Sequence, residues 1–111
     1  DILTDIGAVI TGSMGLAPSG NIDPERRFPS MFEPVHGSAP DILGKGIANP
    51  VAAILSGAMM IRHLGEQSAS EAIHDATLDV LSKGHTLTPD LGGMSSTNQV
   101  GDEIVKALND I

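Results

Sequence analysis

Asp1 and Asp5 stand four residues apart in DILTD, so a helix there places both carboxylates on one face. Like charges at that spacing repel by roughly 0.2–0.5 kcal/mol. A divalent cation would turn that cost into a site, because hard ions such as Mg²⁺ or Mn²⁺ take carboxylate and water oxygens. The plainer alternative is that acids in a first helical turn complement the helix dipole. Spacing alone does not make a metal site.

A second concentration of chemistry lies in FEPVHGSAPDILGKGIANP, residues 32–50, which has no helical or strand periodicity. It holds Glu33, His36, Asp41 and Lys45 among three glycines and three prolines. His63, His74 and His85 show no HExxH or other ligand spacing and read as solvated side chains. His36 differs, because it sits between Glu33 and Gly37 inside the irregular stretch. Gly37, Ser38 and Ala39 are small enough to present bare backbone donors to a phosphate, or they form a plain surface turn. Gly44 and Gly46 match the first half of GxGxxG, but Asn49 replaces the third glycine, and Pro40 and Asp41 stand where a buried strand should lead in. The dinucleotide fingerprint is therefore rejected. Arg26 and Arg27 would suit carboxylates, or are simply solvated; no GxSxG elbow and no cysteine supply a nucleophile.

The elements that must position these residues are mostly helices. In DILTDIGAVITG, Ile2, Ile6 and Val9 share a face and Gly12 is a stop. Residues 15–50 carry every proline except Pro89, which leaves room only for short extended pieces near 17–22 and 31–35. Asn49-Pro50 is a helix start, and VAAILSGAMMIRHL, apolar over most of its circumference, reads as a buried core helix ending at Gly65. Ser68 with Glu71 predicts a capping box for the next helix, whose stripe is Ile73, Ala76, Thr77, Val80 and Leu81 before Gly84. After the irregular Thr88–Gly93 connection, Ser96 with Gln99 repeats the box ahead of Val100, Ile104, Ala107 and Leu108.

At 111 residues the chain has room for one core, and a fold of that size buries about two thirds of its unfolded surface. Fourteen acids against six bases, a net charge of −8, argue against nucleic acid and against an anionic membrane surface. The apolar run near Val51–Ile61 is too short for a hydrocarbon core of about 30 Å. The absence of cysteine removes disulfides and thiolate metal sites and is compatible with the cytoplasm. Because Asp1 opens directly into an apolar-periodic segment, the chain is expected to be a piece of something longer: one domain or part of one, with no repeat or dividing linker.

Taken together, DILTD, GSMGLAPSGNI, MFEPVHGSAPDILGKGIANP and TPDLGG resemble the C-terminal third of the isopropylmalate/isocitrate dehydrogenase family, the metal-dependent β-decarboxylating dehydrogenases. The resemblance covers essentially the whole chain. NIDPERRFPSMFEPVHGSAPDI is closest to the tartrate and D-malate dehydrogenase branch, because isopropylmalate enzymes are typically shorter between the two strands. The resemblance implies an α/β fold in which this mainly helical portion, with two short strands, packs against a sheet supplied largely by an N-terminal half. It implies a segment 1–16 carrying the metal site and a remainder, 17–111, carrying an NAD loop and helices.

It also implies an activity, hydride transfer from a 2-hydroxy dicarboxylic acid to NAD followed by decarboxylation, in a homodimer or higher homo-oligomer. By the same resemblance Asp1 and Asp5 match the metal aspartates, for Mg²⁺ or Mn²⁺. His36, Gly37, Ser38 and Ala39 match the loop along the cofactor's adenosine and phosphates, Glu33 lies toward the nicotinamide, and Asn49 matches the residue that reads adenine. Asp41 with Ile42 matches the NAD-using members, since a carboxylate accepts from a ribose 2′-OH and repels a 2′-phosphate. The family's catalytic tyrosine and lysine have no counterpart: tyrosine is absent, and Lys45, Lys83 and Lys106 do not match. No catalytic residue is thus assigned, and the isolated chain is expected to be silent. The alternatives are an isopropylmalate dehydrogenase fragment, a non-catalytic module that binds NAD or metal, and a structural domain whose site residues are relics.

Overall fold

A computed structural model describes residues 14–110. The expected helix over 1–12, with Asp1 and Asp5, lies outside them.

Where prolines crowd the sequence, the chain forms one short hairpin. Strands β1 (Pro18–Asn21) and β2 (Met31–Pro34) pair antiparallel, with Pro18 opposite Pro34 and Asn21 opposite Met31. Both prolines sit at strand ends, where a missing N–H costs least. The Val35 amide extends the ladder by donating to the Ala17 carbonyl at 2.9 Å. Asp23 organises the loop between the strands: its carboxylate accepts from the amides of Phe28 at 2.7 Å, Arg27 at 2.9 Å and Glu25 at 3.1 Å. Arg26, at φ +56°, donates from its guanidinium to the carbonyl of His63.

Three helices follow, α1 (Val51–His63), α2 (Gln67–Lys83) and α3 (Thr97–Asn109). Asn49 caps α1 as its position suggests, its Oδ1 accepting from the Val51 amide at 2.9 Å. The box expected of Ser68 and Glu71 does not form: α2 begins one residue before Ser68, and Glu66 flanks it without a side-chain cap. The cause lies in the preceding turn. Gly65 at φ +99° lets the Glu66 amide bond back to Ile61 at 3.0 Å, which fixes where α2 starts, and Glu71 accepts from the Gln67 side chain at 3.1 Å instead. At α3 both halves of the Ser96–Gln99 box are present, at 3.1 and 2.8 Å.

The core is a line of small and branched side chains, Val51, Ala76, Val80, Val100 and Ile104, sealed by Leu16, Ile54, Leu55, Leu81, Ala107 and Leu108. Helix α2 lies between α1 and α3, and α1 also packs on the hairpin. Ala58 and Ser70 allow α1 and α2 to approach closely enough for the Ser70 hydroxyl to donate to the Ala58 carbonyl at 2.7 Å. That bond contributes about 1 kcal/mol, whereas each fully buried valine contributes on the order of 1.5–3 kcal/mol. Apolar packing therefore holds the helices, and the hydroxyl sets their register.

Helix α1 departs from the expectation of a core helix buried all round. Val51, Ala52, Ser56 and Ala58 are buried, yet Met60 is 42% and Leu64, just past its end, 63% exposed. Among the described residues, α2, the hairpin and the Met14–Leu16 turn cover only part of its circumference. No helix among them is long and apolar enough to cross a membrane.

Candidate functional site

The stretch after β2 turns on itself rather than running extended. Pro40–Ile42 forms a 3₁₀ turn, and amide-to-carbonyl bonds from Ile42 to Ala39, Leu43 to Pro40 and Lys45 to Ile42 wind residues 39–45 into consecutive turns. Two glycines make the reversals possible, Gly44 at φ +79° and Gly46 at φ +68°. Ala39 enters the turn at φ 47°, ψ 63°, a left-handed conformation that costs an L-residue roughly 1 kcal/mol. Such strain persists only where the surroundings impose it.

The far end of the stretch is fastened to α3. The Thr97 amide donates to the Gly46 carbonyl at 2.9 Å and its hydroxyl to the Ala48 carbonyl. These two attachments, β2 at one end and the start of α3 at the other, hold open a cleft of about 530 Å³. Its walls are residues 36–39, 42–44 and 46–49, with Gly15, Pro89, Asp90 and Thr97 completing it.

Of the residues singled out in the sequence, His36, Gly37, Ser38, Ala39, Ile42 and Asn49 all face this one cleft. The amides of Gly37, Ser38 and Ala39 meet no acceptor among the described residues. The His36 ring nitrogen Nδ1 lies 2.8 Å from the Gly37 carbonyl, so a proton there is held locally and Nε2 is left for a ligand. No lysine or arginine is among the lining residues, so an anion entering would meet backbone dipoles rather than a cationic clamp.

Two expected residues stand apart. Glu33 is exposed on β2 opposite Ser19, and Asp41 is exposed within the 3₁₀ turn, between Ala39 and Ile42 of the wall. Neither lines the cleft itself. Four lining residues come from outside the 32–50 stretch and were not anticipated, Gly15, Pro89, Asp90 and Thr97. The irregular TPD segment hinted at a loop, but no local pattern indicates that it folds against Asn49.

Asn49 carries more than one duty. Its Oδ1 caps α1 and its Nδ2 donates to Asp90 Oδ2 at 3.0 Å, while Thr88, itself buried, donates to the other carboxylate oxygen. One Nδ2 proton is left over for anything in the cleft. Gly15 packs on this pair so closely that a Cβ there would lie 2.8 Å from Asp90 Oδ2 and 3.1 Å from Asn49 Nδ2. Among the described residues no group of three or more His, Asp or Glu side chains is placed to hold a metal ion. Asp1 and Asp5 lie outside that set.

A mainly helical layer with one antiparallel hairpin, and a cleft of small residues beside it, is the arrangement the described residues form. The chain belongs to the isocitrate/isopropylmalate dehydrogenase family, whose model matches residues 1–104. It is 55% identical over 108 residues to a probable tartrate dehydrogenase/decarboxylase of Agrobacterium vitis, covering 97% of this chain and 30% of that protein. Identity is 52% over 113 residues to a decarboxylating D-malate dehydrogenase of Escherichia coli K12, covering 97% and 31%. It is again 55%, over 108 residues, to a 3-isopropylmalate dehydrogenase of Corynebacterium jeikeium, covering 97% and 30%. Among solved structures, a β-decarboxylating dehydrogenase of Thermococcus kodakarensis superposes with a TM-score of 0.85 at 48% identity, over 99% of this chain and 31% of that one. The chain thus spans about 30% of the length of the curated relatives it matches, at their C-terminal part.

Proposed function

We propose that this chain is the C-terminal portion of an NAD-dependent, Mg²⁺- or Mn²⁺-dependent dehydrogenase that oxidises and decarboxylates a 2-hydroxy dicarboxylic acid of the tartrate or D-malate type. The observation that carries the reading is the cleft in which His36, Gly37, Ser38, Ala39, Ile42 and Asn49 converge. The residues present fit the adenosine end of a dinucleotide. Three amides that meet no acceptor among the described residues suit phosphate oxygens, the small side chains let the main chain approach, and Asn49 keeps an N–H for a ring nitrogen. On this reading Asp41, exposed beside the wall, accepts from a ribose 2′-OH, and Glu33 lies toward the nicotinamide.

NAD, when bound, supplies the hydride acceptor; a divalent ion supplies Lewis-acid polarisation of a forming carbonyl. On this reading Asp1 and Asp5 contribute carboxylates to that ion. The Tyr/Lys acid–base pair and the grip on substrate carboxylates belong to other parts of the enzyme. The chain alone is therefore expected to bind and not to turn over. The whole enzyme would act on a small molecule as a homodimer or higher homo-oligomer in the cytoplasm.

Titration calorimetry of this chain with NAD, with and without Mn²⁺, tests the reading. Saturable heat and a thermal upshift with NAD are expected. No heat and no shift with either ligand would leave a structural domain whose site residues are relics.

A further inference from the structure

We propose that Asp90 is a positioning residue of the cleft: its carboxylate, aimed by Thr88, holds the Asn49 amide in the orientation that shapes the adenosine end. The inference rests on the nucleotide reading above and goes beyond it, because Asp90 lies outside every stretch that reading assigns to the cofactor.

The argument begins with the amide. An Asn side chain can rotate by half a turn about its last bond at little cost, exchanging oxygen and nitrogen. At position 49 that exchange would bring NH₂ against the Val51 amide and oxygen against a carboxylate, two repulsive contacts in place of two attractive ones. The observed arrangement is Val51 N–H to Oδ1 at 2.9 Å and Nδ2–H to Asp90 Oδ2 at 3.0 Å. Asp90 thereby decides which edge of the amide faces the cleft. A donor is left for the ligand, where a flipped amide would offer its oxygen.

The carboxylate is itself fixed. Thr88 is 1% exposed and its hydroxyl donates to Asp90 Oδ1, while Gly15 closes on Asp90 Oδ2 with no room for a Cβ. The turn at Pro89–Leu91 anchors the backbone of this segment, with amides of Leu91 and Gly93 bonded to the Thr88 carbonyl at 3.0 and 3.1 Å. Three segments distant in sequence, at 15, 49 and 88–90, therefore meet at one hydrogen-bonded pair on the cleft wall. A residue serving stability alone would not need to lie on that wall.

The test uses this chain with NAD and with AMP as probes. In the wild type, one Asn49 side-chain amide proton is expected to resonate downfield and to exchange slowly in ¹⁵N NMR spectra. In Asp90→Ala that signature is lost, and NAD and AMP both bind about tenfold more weakly, as expected for removing a charge-assisted hydrogen bond. Asp90→Asn, which retains one acceptor oxygen while Thr88 rotates to accept, falls between the two. Gly15→Ala, which crowds the pair without altering either partner, reproduces the loss and covers the case in which Asp90→Ala fails to fold. A wild type that binds neither probe overturns the nucleotide reading and this inference with it. A wild type that binds, with folded Asp90→Ala or Gly15→Ala binding equally tightly or keeping the Asn49 signature, overturns the positioning role alone.

Discussion

Thr97, the first residue of α3, reaches back 49 positions to the carbonyl of Ala48, and its amide does the same to Gly46. The start of one helix thus clamps the last residues before another, across the cleft. Thr97→Val keeps the shape and removes only the hydroxyl. A loss of about 1 kcal/mol in chemical denaturation is expected, together with NAD binding weaker by about threefold or more. Unaltered affinity in a variant that shows the stability loss would mean that the clamp serves the fold and not the cleft.

Acid should undo the hairpin loop before it undoes the core. The Asp23 carboxyl is held below its ordinary value of 3.8, chiefly by the Phe28 amide and further by those of Glu25 and Arg27, against an opposing desolvation effect. A depressed folded value means that the unfolded chain takes up the proton first. The contribution is therefore present above the ordinary value and is lost as pH falls through the folded one. Amide protection factors at Phe28 and Arg27, taken relative to the intrinsic exchange rate at each pH, should be high near neutral pH and fall once pH drops below the ordinary carboxylate range, with α2 and α3 still protected. Asp23→Asn should remove the pH dependence of these two protection factors. If both fall in step with those of the helices instead, the loop has no separate acid transition.

Ala39 offers a test of strain at the wall of the cleft. At φ 47° its methyl sits where only glycine is comfortable, and the residue is exposed, so no packing compensates. Ala39→Gly should raise stability by about 1 kcal/mol despite the added freedom of the unfolded chain, and Ala39→Val should lower it by at least as much. Thermal denaturation of the pair decides. Equal midpoints for all three proteins would show that the left-handed turn carries no strain.

What could be read ahead of the structure follows from how local each signal is. Asn49-Pro50, Gly84 and the Ser96–Gln99 box act within a turn of their own helix, and each appears where the residues place it. The Ser68 box failed because Gly65 and Glu66, closing the preceding helix, had already fixed the start of α2. The same distinction governs the site. Residues 36–49 are contiguous, so their grouping was legible as a motif. Gly15, Asp90 and Thr97 join them through contacts spanning dozens of residues, to which spacing and periodicity are blind. Gly93 illustrates the point, since a Cβ there would lie 2.0 Å from the Leu87 carbonyl oxygen, a constraint visible only once the loop is closed.

The role proposed for Asp41 in choosing between NAD and NADP is open to a clean experiment because of where the residue lies. It is exposed in the 3₁₀ turn and no side-chain hydrogen bond or ion pair holds it among the described residues, so reversing its charge should leave the fold intact. A carboxylate there accepts from a ribose 2′-OH and repels a 2′-phosphate; an ammonium reverses both preferences. In the whole enzyme, Asp41→Lys should shift the ratio of kcat/KM for NAD to that for NADP by about tenfold or more toward NADP, since like-charge contact costs several kcal/mol. Asp41→Asn separates the two effects: it removes the repulsion while keeping an acceptor, so NADP should improve with little loss of NAD. If the ratio is unchanged in the lysine variant, Asp41 does not face the ribose, and the reason for assigning NAD over NADP goes with it.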